Sequence, residues 1–296
     1  MANRRIEEQL AQLNAVRGMP RTEASAAIRK ALADRVNLVI AKAANLAAEL
    51  DLRDTVPDLR HAFDRLFEDM LKRDPQCWGK NAVARALKEL EHREAAPFLR
   101  GAVHIQMEPV WGGQQDTAGP LRGICLLALP ACADIDRPAV LRHMVNALTE
   151  PAPPVRADAA RALAGMQGDE SALLLRLKAR AGDEETAVTG QVFESLLAIE
   201  RIAALPFVQT FLAARQDEVG EEAALAIGGS RLEAGVPILI EAWKTARGAE
   251  FRQAILRALS ISRQDAAVAF LQSLAAEGRP QDAADARAAL ALFDVS

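Results

Sequence analysis

The sequence predicts an all-α fold, a row of helical hairpins stacked side by side, from three observations. Ala and Leu dominate the apolar half of the 296 residues, Tyr is absent and aromatics make up only 4%, which favours helix formers over the β-branched and aromatic residues of sheets. One pattern recurs along almost the whole chain at intervals of 31 to 42 residues. No Gly/Ser-rich or Pro-rich linker divides it, so residues 1–296 are expected to form a single domain.

The recurring segments align without a gap: "ALKELEHREAAPFL" from Ala86, "ALPACADIDRPAVL" from Ala128, "ALAGMQGDESALLL" from Ala162, "SLLAIERIAALPFV" from Ser195, "AIGGSRLEAGVPIL" from Ala226 and "ALSISRQDAAVAFL" from Ala258. An earlier copy starts at Leu46 and a truncated one at Ala289, giving about eight hairpins. In each copy an Ala/Leu-rich helix ends, a polar turn follows, and a proline often opens the next helix, as at Pro57, Pro97, Pro206 and Pro237, where its missing N–H costs nothing. Within one unit, Val140, Leu141, Met144, Val145 and Leu148 fall on one helical stripe and Val155, Ala159, Leu163 and Met166 on another. Neither helix buries its stripe alone, whereas stacked hairpins bury both in a continuous core. Ahead of the repeats, residues 1–21 contain an amphipathic segment with Ile6, Leu10, Leu13 and Val16 on one side, expected to cap the open end of the first unit.

A second register runs twelve residues ahead of the aligned starts. Asp34, Asp74, Asp116, Glu150 and Asp183 stand where the second helix of each hairpin begins, as first-turn or N-cap acids do. Six residues after three of them comes a cation, Lys80, Arg122 or Arg156, with Arg252 in the equivalent slot of a later unit. Acid and base at fixed phase are expected to pair between neighbouring units as a structural ladder. The column is partial, because Ile40, Thr189 and Gly220 occupy the same slot elsewhere.

With a proline near the start of the first helix, an acid in the turn and Val155-Arg156 opening a second helix, residues 22–293 resemble HEAT repeats, most nearly the short bacterial type named after phycobilisome lyases. That resemblance implies a right-handed α-solenoid, an armadillo/HEAT-like superhelix. It leaves function open, since such repeats serve scaffolds, adaptors, chromophore lyases and a group of alkylpurine DNA glycosylases.

The repeat is broken twice. From Pro97 to Asp116 the chain carries eight residues more than the equivalent step in the next unit, which places an enlarged loop at 108–115, "EPVWGGQQ", on one rim. In the preceding unit the stretch from Pro57 to Asp74 is also long, but Leu59, Phe63, Leu66, Phe67, Met70 and Leu71 keep helical phase, predicting one extended helix. Trp78 follows in the adjacent turn, so Trp78 and Trp111 fall on the same rim. Two readings compete for that rim. Trp78, Trp111, Glu108 and Gln114 form a partner-binding edge of the kind that supplies interface hot spots, or the rings fill space between an overhanging helix and a packed loop.

Chemistry is sparse. His104 and Glu108 at i, i+4 would share a helical face, with Asp116 as a third ligand or base, but the set is too small for a metal or catalytic site. No P-loop, GxSxG or HExxH motif is present, and neither catalytic residue, metal nor cofactor is expected. Cys77, Cys125 and Cys132 have no metal-ligand spacing; they are expected as reduced thiols, the last two on one helical face. A net charge of -4 argues against a phosphate-gripping surface, and three of the four column cations follow an acid. Neither a secretory signal nor an apolar run of membrane-spanning length occurs. The expected protein is a cytoplasmic, non-catalytic scaffold that binds a protein partner, with nucleic acid and membrane set aside; a DNA-binding protein resembling the glycosylases and a chromophore-lyase-like protein are the alternatives.

Overall fold

A computed structural model of the protein describes residues 2–213 and 217–294. The chain divides into two compact units, residues 1–162 and 163–296, with the division inside one helix. The regular secondary structure of the described residues is helical, apart from one short β-hairpin.

In the first unit, α1 (Ala2–Asn14) runs into a 3-10 turn and buries Leu13 and Val16 against the first helix pair, α2 (Arg21–Leu32) and α3 (Asn37–Glu49). The second pair begins with α4 (Val56–Leu66). The single extended helix expected here is interrupted: Asp69 takes a left-handed conformation at φ 44, and only the one-turn α5 (Met70–Arg73) resumes before α6 (Trp78–Glu89). The apolar phase continues across the interruption of the helix, and Leu71, expected inward, is exposed. The third pair is α7 (Ala96–Ala102) and α8 (Gly119–Ala128). Between them the expected loop at 108–115 is instead a two-stranded antiparallel hairpin, β1 (Met107–Val110) and β2 (Gly113–Asp116). Its turn is Trp111-Gly112, and Gly112 sits at φ 91, which glycine takes without strain. Next come α9 (Arg137–Ala147), opened by an Asp136 carboxylate that accepts from the Ala139 N–H, and α10 (Pro153–Met166). Val140 and Met144 of α9 are buried as expected, but Val145 is exposed.

In the second unit the pairs are α11 (Asp169–Ala181) with α12 (Thr186–Glu200), α13 (Leu205–Gln209) with α14 (Asp217–Gly229), α15 (Gly235–Thr245) with α16 (Ala249–Ser262), and α17 (Asp265–Glu277) with α18 (Pro280–Asp294). Second helices pack on second helices in each unit, α3 on α6 on α8 and α12 on α14 on α16 on α18, the arrangement of an α-solenoid.

The repeat register has a backbone cause. Asp51, Glu91, Gln167, Arg231 and Arg263, at one fixed position of the aligned segments, all have φ between 47° and 57° and close the second helices. At Asp51 the N–H donates to the Ala48 carbonyl while Leu52 N–H reaches back to Ala47, and Glu91 and His92 repeat the pattern on Lys88 and Leu87. These are left-handed caps that satisfy otherwise orphaned carbonyls and turn the chain toward the next hairpin.

Close helix approach uses small residues. A methyl group built on Gly101 of α7 would stand 2.3 Å from the Cys125 sulfur of α8. Gly101→Ala is therefore expected to lower stability by about 1–3 kcal/mol, and adding Cys125→Ala to recover most of the loss in denaturant unfolding. Cys125 and Cys132 do not share a helical face. A 3-10 turn at Leu129–Ala131, carrying Pro130, separates them.

Candidate functional site

The turn between α5 and α6 contains a buried polar cluster. Asp74 and Lys80 are both 0% exposed, and their carboxylate oxygen and ammonium nitrogen lie 3.1 Å apart. Asp74 also accepts from the backbone N–H groups of Gly79 (2.7 Å) and Lys80 (3.0 Å) and from the Asn37 amide at 3.1 Å. It thus satisfies the first turn of α6 while neutralising Lys80. The remaining reach of Lys80 goes to the Gln106 side-chain oxygen at 2.9 Å, and the Gln106 amide donates to the Asp74 carbonyl at 2.8 Å and to Glu108 at 2.7 Å. Gln106 is fully buried and joins the residues ahead of the hairpin to the preceding turn.

From Val103 to Glu108 the chain alternates apolar and polar, and the alternation is inside out. His104, Gln106 and Glu108 turn inward, whereas Val103 (64% exposed), Ile105 (60%) and Met107 (43%) face solvent. Val110 is also exposed, and Trp111 at the hairpin tip is fully so. Trp78 is half exposed, at 49%. Full exposure leaves Trp111 without a packing role, Trp78 buries about half of its surface, and among the described residues the two rings make no aromatic contact with each other. Their segments are nonetheless tied, because the Glu108 carboxylate accepts from the Gln76 N–H, two residues before Trp78. Gln76 and Cys77 are consecutive left-handed residues, at φ 59 and 56, a conformation costly for side-chain-bearing residues and held here by that contact and the buried cluster. Gln114 lies exposed on β2.

Glu108 takes three donors, Thr117 hydroxyl and Gln106 amide at 2.7 Å each and the Gln76 N–H. Burial opposes its charge, but these donors prevail and hold its pKa below the ordinary 4.5. Asp116 behaves alike: desolvation raises it, and the Gln106 and Ala118 N–H groups with Arg122 bring it below 3.8. A depressed carboxyl pKa stabilises the fold fully above the unfolded value, and the contribution is lost as pH falls through the folded value. Acidification below about pH 4 is expected to release the hairpin ahead of global unfolding, seen as loss of amide-exchange protection at residues 106–117 before that of α6 and α8.

The other cations of the column are also engaged. Arg122 is buried and bonds Asp116 (2.7 Å) and the His104 carbonyl (2.8 Å), with Glu150 of the next turn at 3.4 Å. Arg156 donates to the carbonyls of Glu150 (2.7 Å) and Pro151 (3.0 Å). Arg252 pairs with Asp282 at 2.8 Å and stacks 4.1 Å over Trp243. The pairing expected between neighbouring units thus holds for Arg122–Glu150; Arg252 reaches the next unit through Asp282 of α18, which is not a column acid, while Asp74–Lys80 and Asp116–Arg122 close within a single turn, because the acid ends the turn that the cation's own helix leaves.

The helical His104–Glu108 pair does not exist. His104 follows the end of α7 and Glu108 is on β1; His104 instead packs edge-on to Phe67 at 4.8 Å and contacts Gln106 at 3.2 Å. Its pKa is lowered, chiefly by burial. Among the described residues no group of three or more His, Cys, Asp or Glu is placed to hold a metal ion. Burial pushes the Cys77 and Cys132 thiols up to about 11 and raises Cys125 as well, so all three are protonated at neutral pH. No described helix is long and apolar enough to cross a membrane. Composition alone did not single out Asn37, Gln106 and Thr117, which hold the cluster; the period-two alternation of 103–108 is the signal that marks Gln106.

No protein-family model and no curated protein matches the chain. Among solved structures, human deoxyhypusine hydroxylase in complex with glycerol is similar at 18% identity and TM-score 0.29, over 96% of this chain and 89% of that one. The complex of CpcE and CpcF of phycocyanin lyase from Nostoc sp. is similar at 18% identity and TM-score 0.40, over 79% and 92%. An engineered protein is similar at 16% identity and TM-score 0.43, over 96% and 83%.

Proposed function

We propose that the protein is a non-catalytic helical-repeat scaffold that binds a protein partner through the rim formed by the β-hairpin and the turn before α6. The inside-out alternation of residues 103–108 carries this reading: a fully buried Gln106 is spent on fixing a segment whose apolar residues Val103, Ile105 and Met107 face water. Leading apolar side chains outward on a segment secured by buried hydrogen bonds is unfavourable for an isolated chain and suits a preorganised contact surface. Trp111 and Trp78 supply the large amphipathic side chains from which hot spots are built. Lys80, Arg122, Arg156 and Arg252 each donate to groups of the chain itself, which supports a structural role over a phosphate-binding track.

Pull-down from a native lysate tests the reading. The Trp78→Ala/Trp111→Ala variant is expected to lose proteins that wild type retains while unfolding at an unchanged denaturant midpoint. Retention of the same proteins by both would show that the rim is not the site.

A further inference from the structure

We propose that the outer edge of β2 receives an extended segment of the protein partner by strand addition, an inference that rests on the rim being the interaction site. The parity of the hairpin determines which backbone groups are on offer. Thr117 N–H donates to the Gln106 carbonyl at 3.0 Å, and in an antiparallel ladder such bonded pairs alternate with pairs that exchange no bonds. With Met107 opposite Asp116, Glu108 opposite Gln115, Pro109 opposite Gln114 and Val110 opposite Gly113, the bonded pairs are 108/115 and 110/113. Residues 107, 109, 114 and 116 therefore turn their backbone groups away from the partner strand.

The two edges differ. On β1 the outward position is Pro109, which has no N–H to donate, and Glu108 beside it docks on Gln76; this edge is blunted in the manner of natural edge strands. On β2 the outward groups belong to Gln114 and Asp116. Gly113, Gln114 and Gln115 are exposed and none is charged or proline; the one charged outward residue, Asp116, has its carboxylate engaged by the Gln106 and Ala118 N–H groups and Arg122, and among the described residues no hydrogen bond from outside the hairpin reaches the backbone of Gln114. One edge of a single hairpin is protected and the other is a ready template.

The occupant is an extended stretch of a partner protein that pairs its backbone with β2 and places an apolar side chain against the exposed Trp111 at the hairpin tip. A second copy of this hairpin is the poorer occupant: four residues of strand paired with their own image cover far less than the roughly 1,200 Å² of a stable interface. A longer partner segment runs past the strand ends and gains the exposed Trp111.

The experiment selects binders to the full-length chain from a displayed library of random linear peptides. Selected peptides are expected to bind Gln114→Pro, which loses only an outward N–H, about tenfold or more weakly than wild type. N-methylation of the peptide amides is expected to weaken binding at every second position. The methylation scan uses unaltered protein and so keeps the test independent of how Gln114→Pro folds. Recovery of no binders, or binding indifferent to both changes, overturns strand addition. If Trp111→Ala abolishes binding while Gln114→Pro and methylation leave it unchanged, strand addition fails and the rim reading stands; if none of the three matters, both fail.

Discussion

Replacing Lys80 by methionine is expected to destabilise the first unit by about 3–5 kcal/mol, because it leaves the Asp74 carboxylate buried without its counter-charge. The stem of Lys80 is already packed at 0% exposure, and methionine fills much of that volume, so the loss reports on charge more than on a cavity. Asp74 keeps donors from Gly79, Asn37 and the residue-80 N–H, which soften the penalty without removing it. The double variant Asp74→Asn/Lys80→Met is expected to recover part of the loss, since no charge then remains inside. Urea unfolding of the three variants measures this. A double variant less stable than Lys80→Met alone would mean that the carboxylate contributes chiefly as the cap of α6.

The second large effect lies in the other unit. Gly228 of α14 faces α16 so closely that an added Cβ would stand 2.2 Å from the Ala258 carbonyl oxygen and 2.8 Å from its carbon. Backbone cannot swing aside as a side chain does, so Gly228→Val is expected to cost about 3 kcal/mol or more. Gly229 is the internal control. A Cβ there meets nothing within 4 Å, and Gly229→Ala is expected to be neutral or slightly stabilising through helix propensity. Similar thermal shifts for the two variants would rule out helix contact as the reason for glycine at position 228.

The fold was legible because the repeat is written twice, once in the Ala/Leu pattern and once in the acids that begin second helices. Asp74, Asp116 and Asp183 do hold backbone N–H groups at those turns, Asp183 through Glu185. The departure of the candidate rim from the repeat was legible by position and not by form. The excess after Pro97 marked where the rim departs from the repeat, but a strand of four residues containing Pro109 gives little periodic signal, and its proline is tolerated only because the ladder turns that position outward. The inside-out segment misleads for a related reason: alternation identifies a two-faced strand, and the usual assignment of apolar to inside fails where Gln106 answers Lys80. The break at Asp69 was hidden because a left-handed aspartate leaves the apolar phase on either side intact.

The acid-to-cation bracket has a consequence for what this chain can accommodate. The distance from acid to helix is fixed by hydrogen bonds at Asp74–Lys80 and Asp116–Arg122, whereas the length between the preceding helix and the acid varies from turn to turn. These two turns therefore act as sockets with one clamped wall and one open one. Segments grafted ahead of Asp74 or Asp116 are expected to leave the helices in place, and the hairpin that runs from Met107 and ends on Asp116 already occupies that position.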